Sequence, residues 1–94
     1  MSAQPQIYIE PTDESLVADF LTSIENESTK KNYTLSLKQF TRKFEDDLLD
    51  ITSTQVSLWR NGMSVGGLAP STINLKLAAL KSFYSWAMAH GYTD

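Results

Sequence analysis

Lys31, Lys38 and Arg42 recur at intervals of seven and four residues. With Leu35 they fall on one line of a helix, in which each residue turns ~100° from the last. A line of cations is the simplest device for holding a line of phosphates. Tyr33, Leu37, Phe40 and Phe44 recur at the same spacing, roughly 160° away on the wheel. A basic ridge therefore lies opposite an apolar one. Thr29, Asn32, Ser36 and Gln39 set short polar side chains beside it. No acid is interleaved between Ser28 and Phe44, whereas a purely solvated face usually mixes signs to form i,i+4 pairs. Two readings stand at this point, a solvated charged face and a functional basic surface.

Catalytic chemistry finds no comparable arrangement. His90 is the one histidine and there is no cysteine, so neither a nucleophile–base pair nor a cysteine metal site can be assembled. No serine sits in a nucleophile elbow. The run Glu45-Asp46-Asp47-Leu48-Leu49-Asp50 lacks the alternating oxygen ligands and the glycine of a calcium loop. Gly66-Gly67 has no Walker lysine and no preceding strand, so it is not a phosphate loop. No acid lies on an apolar stripe, where burial would raise its pKa. No cofactor and no metal are expected. What remains is binding.

The net charge of −3 argues mildly against nucleic acid, but the charge is segregated. Residues 1–27 hold six acids and no Lys or Arg. Residues 28–44 hold five bases, Lys30, Lys31, Lys38, Arg42 and Lys43, and no acid. Four acids follow in the connector, and from 51 to 93 there are Arg60, Lys76 and Lys81 and again no acid. The local field, not the sum, decides which face approaches a polyanion.

The elements that would carry these residues are helices. Thr12 is a good N-cap for a first helix, with Asp13 and Glu14 favourable in its first turn. Leu16, Val17, Phe20, Leu21 and Ile24 make its apolar face. A second helix is expected from Ser28 or Thr29 to Phe44, after which the Leu48-Leu49 pair should tuck inward. Thr52 and Gln55 form a capping box for a third helix, with Val56 and either Trp59 or Leu58 inward and an end at Arg60-Asn61-Gly62. Met63–Ala69 reads as a flexible loop. The longest helix starts at Pro70, suited to the first helical position, and stops at Gly91, suited to the left-handed residue past a helix end.

That last helix carries two apolar stripes. Ile73, Leu77, Leu80, Tyr84 and Ala87 make one, and Leu75, Ala79, Ser82 and Trp86 the other, with Phe83 between. A helix apolar on two sides is packed on two sides. Its polar remainder is Asn74, Ala78, Lys81 and Ser85, with Ser71 and Thr72 at the start and Lys76 at a margin. The expected fold is all-α, a compact four-helix bundle around a long, doubly packed C-terminal helix. Its helices should run about 13, 16, 10 and 20 residues with short connections.

Ninety-four residues suggest one domain over 12–94, preceded by a tail, 1–11, whose Ile7-Tyr8-Ile9 triplet could lie against the body. No apolar run approaches the roughly 18–20 residues that span a bilayer. The N-terminus lacks the pattern of a secretory signal. The expectation is a soluble, cytoplasmic protein without a membrane partner.

The order of segments resembles a known family. Ser28-Thr29-Lys30-Lys31-Asn32-Tyr33 with Leu37 and Phe40, then Leu49-Asp50-Ile51-Thr52, then Leu68-Ala69-Pro70-Ser71-Thr72-Ile73-Asn74-Leu75-Lys76-Leu77, Ala79–Tyr84 and Gly91-Tyr92 are similar to the N-terminal core-binding domain of tyrosine recombinases (phage integrases). The resemblance covers residues 13–92. It implies a SAM-like four-helix bundle that forms half of a clamp round duplex DNA, its second and fourth helices meeting the major groove and flanking phosphates. Carried onto this sequence, it points to Thr29, Lys30, Lys31, Lys38 and Arg42 on the second helix and to Ser71, Thr72, Asn74, Lys76 and Lys81 on the fourth. The wheel reaches Lys31, Lys38, Arg42, Asn74 and Lys81 by itself; Lys30 and Lys76 rest more on the resemblance.

The resemblance also implies duplex DNA, a catalytic domain of the same protein and other recombinase protomers as partners, and a nucleoid-associated location. The family's catalytic arginines, lysine, histidines and tyrosine would follow Asp94 and are not among these residues, so this chain should bind and not cut. There are departures. Family members often carry Ser where Ala69 stands, so an N-cap of roughly 1 kcal/mol is lost. Arginine is frequent where Leu75 and Lys76 stand, and lysine offers a point charge instead of a bidentate fork. The main alternative is a helical protein-interaction module docking through the exposed parts of Trp86, Leu75 and Tyr92. A helix-turn-helix regulator is a third reading, poorly suited to a doubly buried long helix.

Overall fold

The structure, a computed structural model, describes residues 12–93. The Ile7-Tyr8-Ile9 triplet and its docking lie outside the described residues. The elements are α1 (Asp13–Thr22), α2 (Glu27–Lys43), a 3-10 turn (Leu48–Asp50), α3 (Ser53–Val65) and α4 (Pro70–Ala89). There is no strand among the described residues, and no helix there is long and apolar enough to cross a membrane.

Capping chemistry sets most boundaries. The Thr12 hydroxyl accepts from the Ser15 amide at 3.1 Å, so α1 starts where expected. In the capping box of α3 the Thr52 hydroxyl accepts from the Gln55 amide at 3.3 Å and the Gln55 side chain accepts from the Thr52 amide at 2.9 Å. Helix α2 starts one or two residues before its expected position. Asn26 is its cap, its side-chain oxygen accepting from the Thr29 amide at 3.0 Å, and Glu27 takes the first turn, where the dipole favours an acid.

Helix α3 corrects the sequence reading more strongly. It does not end at Arg60-Asn61-Gly62 but continues to Val65. A glycine inside a helix costs only about 1 kcal/mol, and Met63, 8 % exposed, holds the extra turn in the core. The stop is Gly66-Gly67. Gly67 has φ +89°, its amide donates to the Ser64 carbonyl, and the Leu68 amide donates to the Met63 carbonyl, both at 3.1 Å, the paired bonds of a left-handed helix end. Trp59 is the residue turned inward, while Leu58 is 57 % exposed. Helix α4 ends the same way at Gly91, φ +77°, with the Tyr92 amide donating to the Ala87 carbonyl at 2.9 Å. At its start Pro70 leads the helix, and Ala69 makes no side-chain cap bond.

Helix α4 is the centre of the bundle. Its largest interface is with α2, and α1 and α3 also pack on it. Ile73, Ala79, Leu80, Phe83 and Ala87 are buried. The two expected stripes merge into one broad arc around Phe83, with Leu77, Tyr84 and Trp86 half-buried at its edges. Leu75 falls outside the arc, 49 % exposed, since it lies in the first turns of α4 about 80° round the wheel from Phe83. Phe20 of α1 closes the aromatic core, its ring 5.5 Å from Phe83, 5.8 Å from Trp86 and 6.1 Å from Tyr33. Phe40 and Trp59, 5.0 Å apart, join α2 to α3.

The acidic connector is pinned through Leu48. Its side chain is buried, its amide donates to the Asp13 carboxylate at 3.0 Å, and its carbonyl accepts from the Tyr84 hydroxyl at 2.6 Å. Three elements are thus tied at one residue. Burial, and secondarily the Asp13 carboxylate, holds the Tyr84 phenol well above the ordinary tyrosine pKa. Below pH ~10 the phenol is protonated folded or unfolded and contributes no pH dependence; above it the unfolded chain loses the proton first, so stability falls as pH rises. Tyr84→Phe removes the bond to Leu48 and should lower stability by about 1–2 kcal/mol at neutral pH. Urea denaturation at pH 7 and pH 11 checks this: the alkaline loss should be smaller in Tyr84→Phe than in the native chain.

Candidate nucleic-acid interface

The basic ridge of α2 stands free on the surface. Lys31, Lys38 and Arg42 are exposed, and none takes part in an ion pair among the described residues. Lys31, Asn32, Leu35 and Lys38 line one shallow hollow on the outer face of the helix. From Lys31 to Arg42 the ridge runs about 16 Å at 1.5 Å per residue. Three cations along that length can face about three phosphates. Thr29 and Lys30 differ from it. Thr29 is half-buried, and its amide is used by the Asn26 cap. Lys30 is half-buried and pairs with Glu27 at 3.8 Å.

The ridge has acidic neighbours: Glu27, in the first turn of α2, lines the hollow with Lys31 and Lys38. Asp13 and Glu14 of α1 line the same apolar groove as Lys38, with Val17, Leu21 and Leu37. No ion pair crosses that groove, yet its rim is of mixed sign. With its expected start at Ser28 or Thr29 the second helix is acid-free; the earlier start at Glu27 and the packing of α1 against α2 supply the acids.

On α4 the expected residues divide between two flanks. Lys76 is half-buried and its ammonium donates to the Gln39 side chain of α2, which joins α4 to the polar margin of the second helix. Asn74 lies on the opposite flank, in a hollow it shares with Arg60, Asn61 and Ser64 of α3. Lys81 lines the next hollow along that flank, with Val56 of α3. Ser71 and Thr72 are exposed in the first turn, where the helix dipole favours an anion. The two helices therefore do not present one continuous strip. Lys76 belongs with α2, and Asn74 and Lys81 belong with α3.

Arg60, Asn61 and Ser64 escape the sequence reading, because ending α3 at Gly62 removes Ser64 from the helix. The signal is their i, i+1, i+4 spacing, visible once the stop is moved to Gly66-Gly67. Trp86 also changes meaning. Its ring packs against Phe20, Phe83, His90 and Tyr92 at centroid distances of 4.8–6.0 Å, so it closes the core more than it offers a docking face. No group of three or more potential metal ligands exists among the described residues.

An all-α bundle wound round one central helix, with an unpaired basic row on the second helix, has the form of a SAM-like domain. The family of the phage integrase N-terminal SAM-like domain matches residues 17–91, and the chain belongs to that family. No curated protein and no solved structure matches the chain significantly.

The Gln39–Lys76 bond positions Lys76 without neutralising it. A double-mutant cycle with Gln39→Ala and Lys76→Met, read by urea denaturation, should give a coupling energy above zero and under about 1 kcal/mol, as for exposed polar pairs. A coupling of zero would mean that Lys76 is not held by α2.

Proposed function

We propose that this chain is the DNA-binding N-terminal domain of a phage-integrase-type site-specific tyrosine recombinase, holding duplex DNA through α2 and α4 during DNA integration or recombination. The observation that carries the reading is the exposed, unpaired row Lys31, Lys38 and Arg42 on the second helix of a phage integrase SAM-like domain. Each cation set against a phosphate releases a condensed counterion, which supplies affinity without sequence preference. Ser71 and Thr72 at the head of α4 offer hydroxyl groups to base edges, and Asn74 a carboxamide to the backbone beside them. Lysines predominate over arginines, so bidentate base contacts are few and positioning outweighs readout. Bond cleavage and rejoining belong to a catalytic domain of the same protein, and DNA sites call for further protomers. The working location is cytoplasmic, on the nucleoid.

A protein-docking role has its own support in exposed apolar residues, chiefly Leu58 and Val65 on α3, the latter 90 % exposed. Those side chains lie on a different helix from the ridge, so docking and DNA binding are compatible: a catalytic domain or neighbouring protomer would be met by α3.

Fluorescence anisotropy of labelled duplex DNA across a salt series tests the reading. With four to six phosphates neutralised, log K against log[salt] should have a slope of about −4 to −5. Lys38→Ala/Arg42→Ala should make it shallower by about 2 while leaving the thermal midpoint unchanged. Absence of binding at low salt and high protein concentration would overturn the reading for the isolated domain.

A further inference from the structure

The hollow between α3 and α4 combines an apolar part with hydrogen-bonding side chains and no acid. It measures about 290 Å³, and its floor is Leu68 and Ile73. Round it stand Arg60, Asn61, Ser64 and Asn74: one guanidinium, two carboxamides and one hydroxyl, all able to donate. Residues 51–93 contain no Asp or Glu, so neither α3 nor α4 offers a carboxylate to the guanidinium. Among the described residues Arg60 forms no ion pair. This is a concave, donor-lined cradle with one fixed positive charge and no internal counter-charge. A tetrahedral oxyanion satisfies that set, because a guanidinium takes two of its oxygens side by side and amide and hydroxyl donors take the others.

We infer that this hollow is a second phosphate-binding site, in which Arg60, assisted by Asn61, Ser64 and Asn74, holds a backbone phosphate of duplex DNA. The inference rests on the DNA-binding reading for the source of the phosphate, and on the hollow alone for the ligand chemistry. It gives the domain an anchor on the α3 side of α4, separate from the α2 ridge. It also gives Asn74 a partner in Arg60, so that its carboxamide serves backbone positioning. Lys81 lies one further hollow along the same flank, where it would meet the next stretch of backbone.

The test uses the whole chain, ¹⁵N-labelled and titrated separately with a short duplex and with inorganic phosphate, together with the anisotropy salt series. In the native chain the duplex should shift the amide signals of Arg60, Asn61, Ser64 and Asn74 as well as those of the α2 ridge. Arg60→Ala should abolish the shifts in the hollow, keep those on the ridge, and reduce the salt slope by about 1. Arg60→Lys should restore the slope but bind more weakly, since the charge returns without the fork. Arg60 is exposed, and unchanged thermal midpoints verify that both variants fold. If the duplex shifts the ridge alone and Arg60→Ala leaves the slope unaltered, the second site is overturned while the DNA-binding reading stands. If the duplex does not bind but inorganic phosphate shifts the hollow in an Arg60-dependent way, the ligand chemistry holds and DNA as its source is overturned. If neither moves the hollow, the inference is wrong in both parts.

Discussion

Burial of the middle of α4 is the constraint on which the rest of the molecule depends. Phe83 is fully buried between Phe20 of α1 and the rings at the end of its own helix, and Ala79 and Ala87 are small enough to let neighbouring helices close in on either side of it. Aromatic burial of this kind dominates the energetics of a small core, and a chain of this length has little other apolar area to draw on. Once α4 is committed to the centre, only its first turns and its polar margin remain for a partner. A duplex cannot receive the helix broadside. In the proposed role it would meet the end that carries Ser71, Thr72 and Asn74, and the flanks that α4 shares with α2 and α3.

The same packing decides how an acidic chain can present a basic surface. The net charge is negative, but at physiological ionic strength exposed charges are screened beyond about 8 Å. A polyanion approaching α2 therefore senses Lys31, Lys38 and Arg42 before it senses the acids on the far side of α1. Asp13 and Glu14, in the groove that Lys38 borders, and Glu27, in the hollow of Lys31 and Lys38, are the exceptions. Asp13 is already engaged by the Leu48 amide, so it acts on the fold as much as on the field. Asp13 holds the connector through the Leu48 amide, while Lys31, Lys38 and Arg42 stay without an ion pair among the described residues, so an acidic chain of 94 residues keeps a basic row on one helix.

Much of this was legible in the sequence, for local reasons. Thr12, Thr52 with Gln55, Pro70 and Gly91 act on residues within four positions of themselves, and the structure uses each as its type suggests. The periodicity of Tyr33, Leu37 and Phe40 identified the inward face of α2. The illegible parts are those in which a distant residue decides. The start of α2 is the exception, a local choice that composition leaves open among Asn26, Ser28 and Thr29 and that Asn26 wins by reaching the Thr29 amide. The end of α3 depends on whether Met63 finds a place in the core, which outweighs the cost of Gly62 and which no window around Gly62 can reveal. Ser64 joins Arg60 and Asn61 only as a consequence. The wheel of α4 already sets Lys76 about 160° from Asn74, but which neighbour each flank meets depends on where α2 and α3 lie, and the wheel does not contain that.

Leu35 shows how burial and charge combine in the proposed role. It lies within the lysine row, shares a hollow with Lys31 and Lys38, and is 54 % exposed. In the free domain the lysine stems can shield part of it while their charged ends stay in water. Against DNA, a leucine between two phosphate-bound lysines would face sugar edges or the methyl group of a thymine, the apolar features that a groove offers. Each lysine loses rotamer freedom when it is fixed on a phosphate, and burying a neighbouring leucine offsets part of that cost without adding charge. The ridge thus combines a salt-dependent contribution with one that salt does not screen. The helix beneath it is already fixed by Leu37 and Phe40 in the core and by the Gln39–Lys76 bond to α4, so no backbone ordering is added to what binding requires.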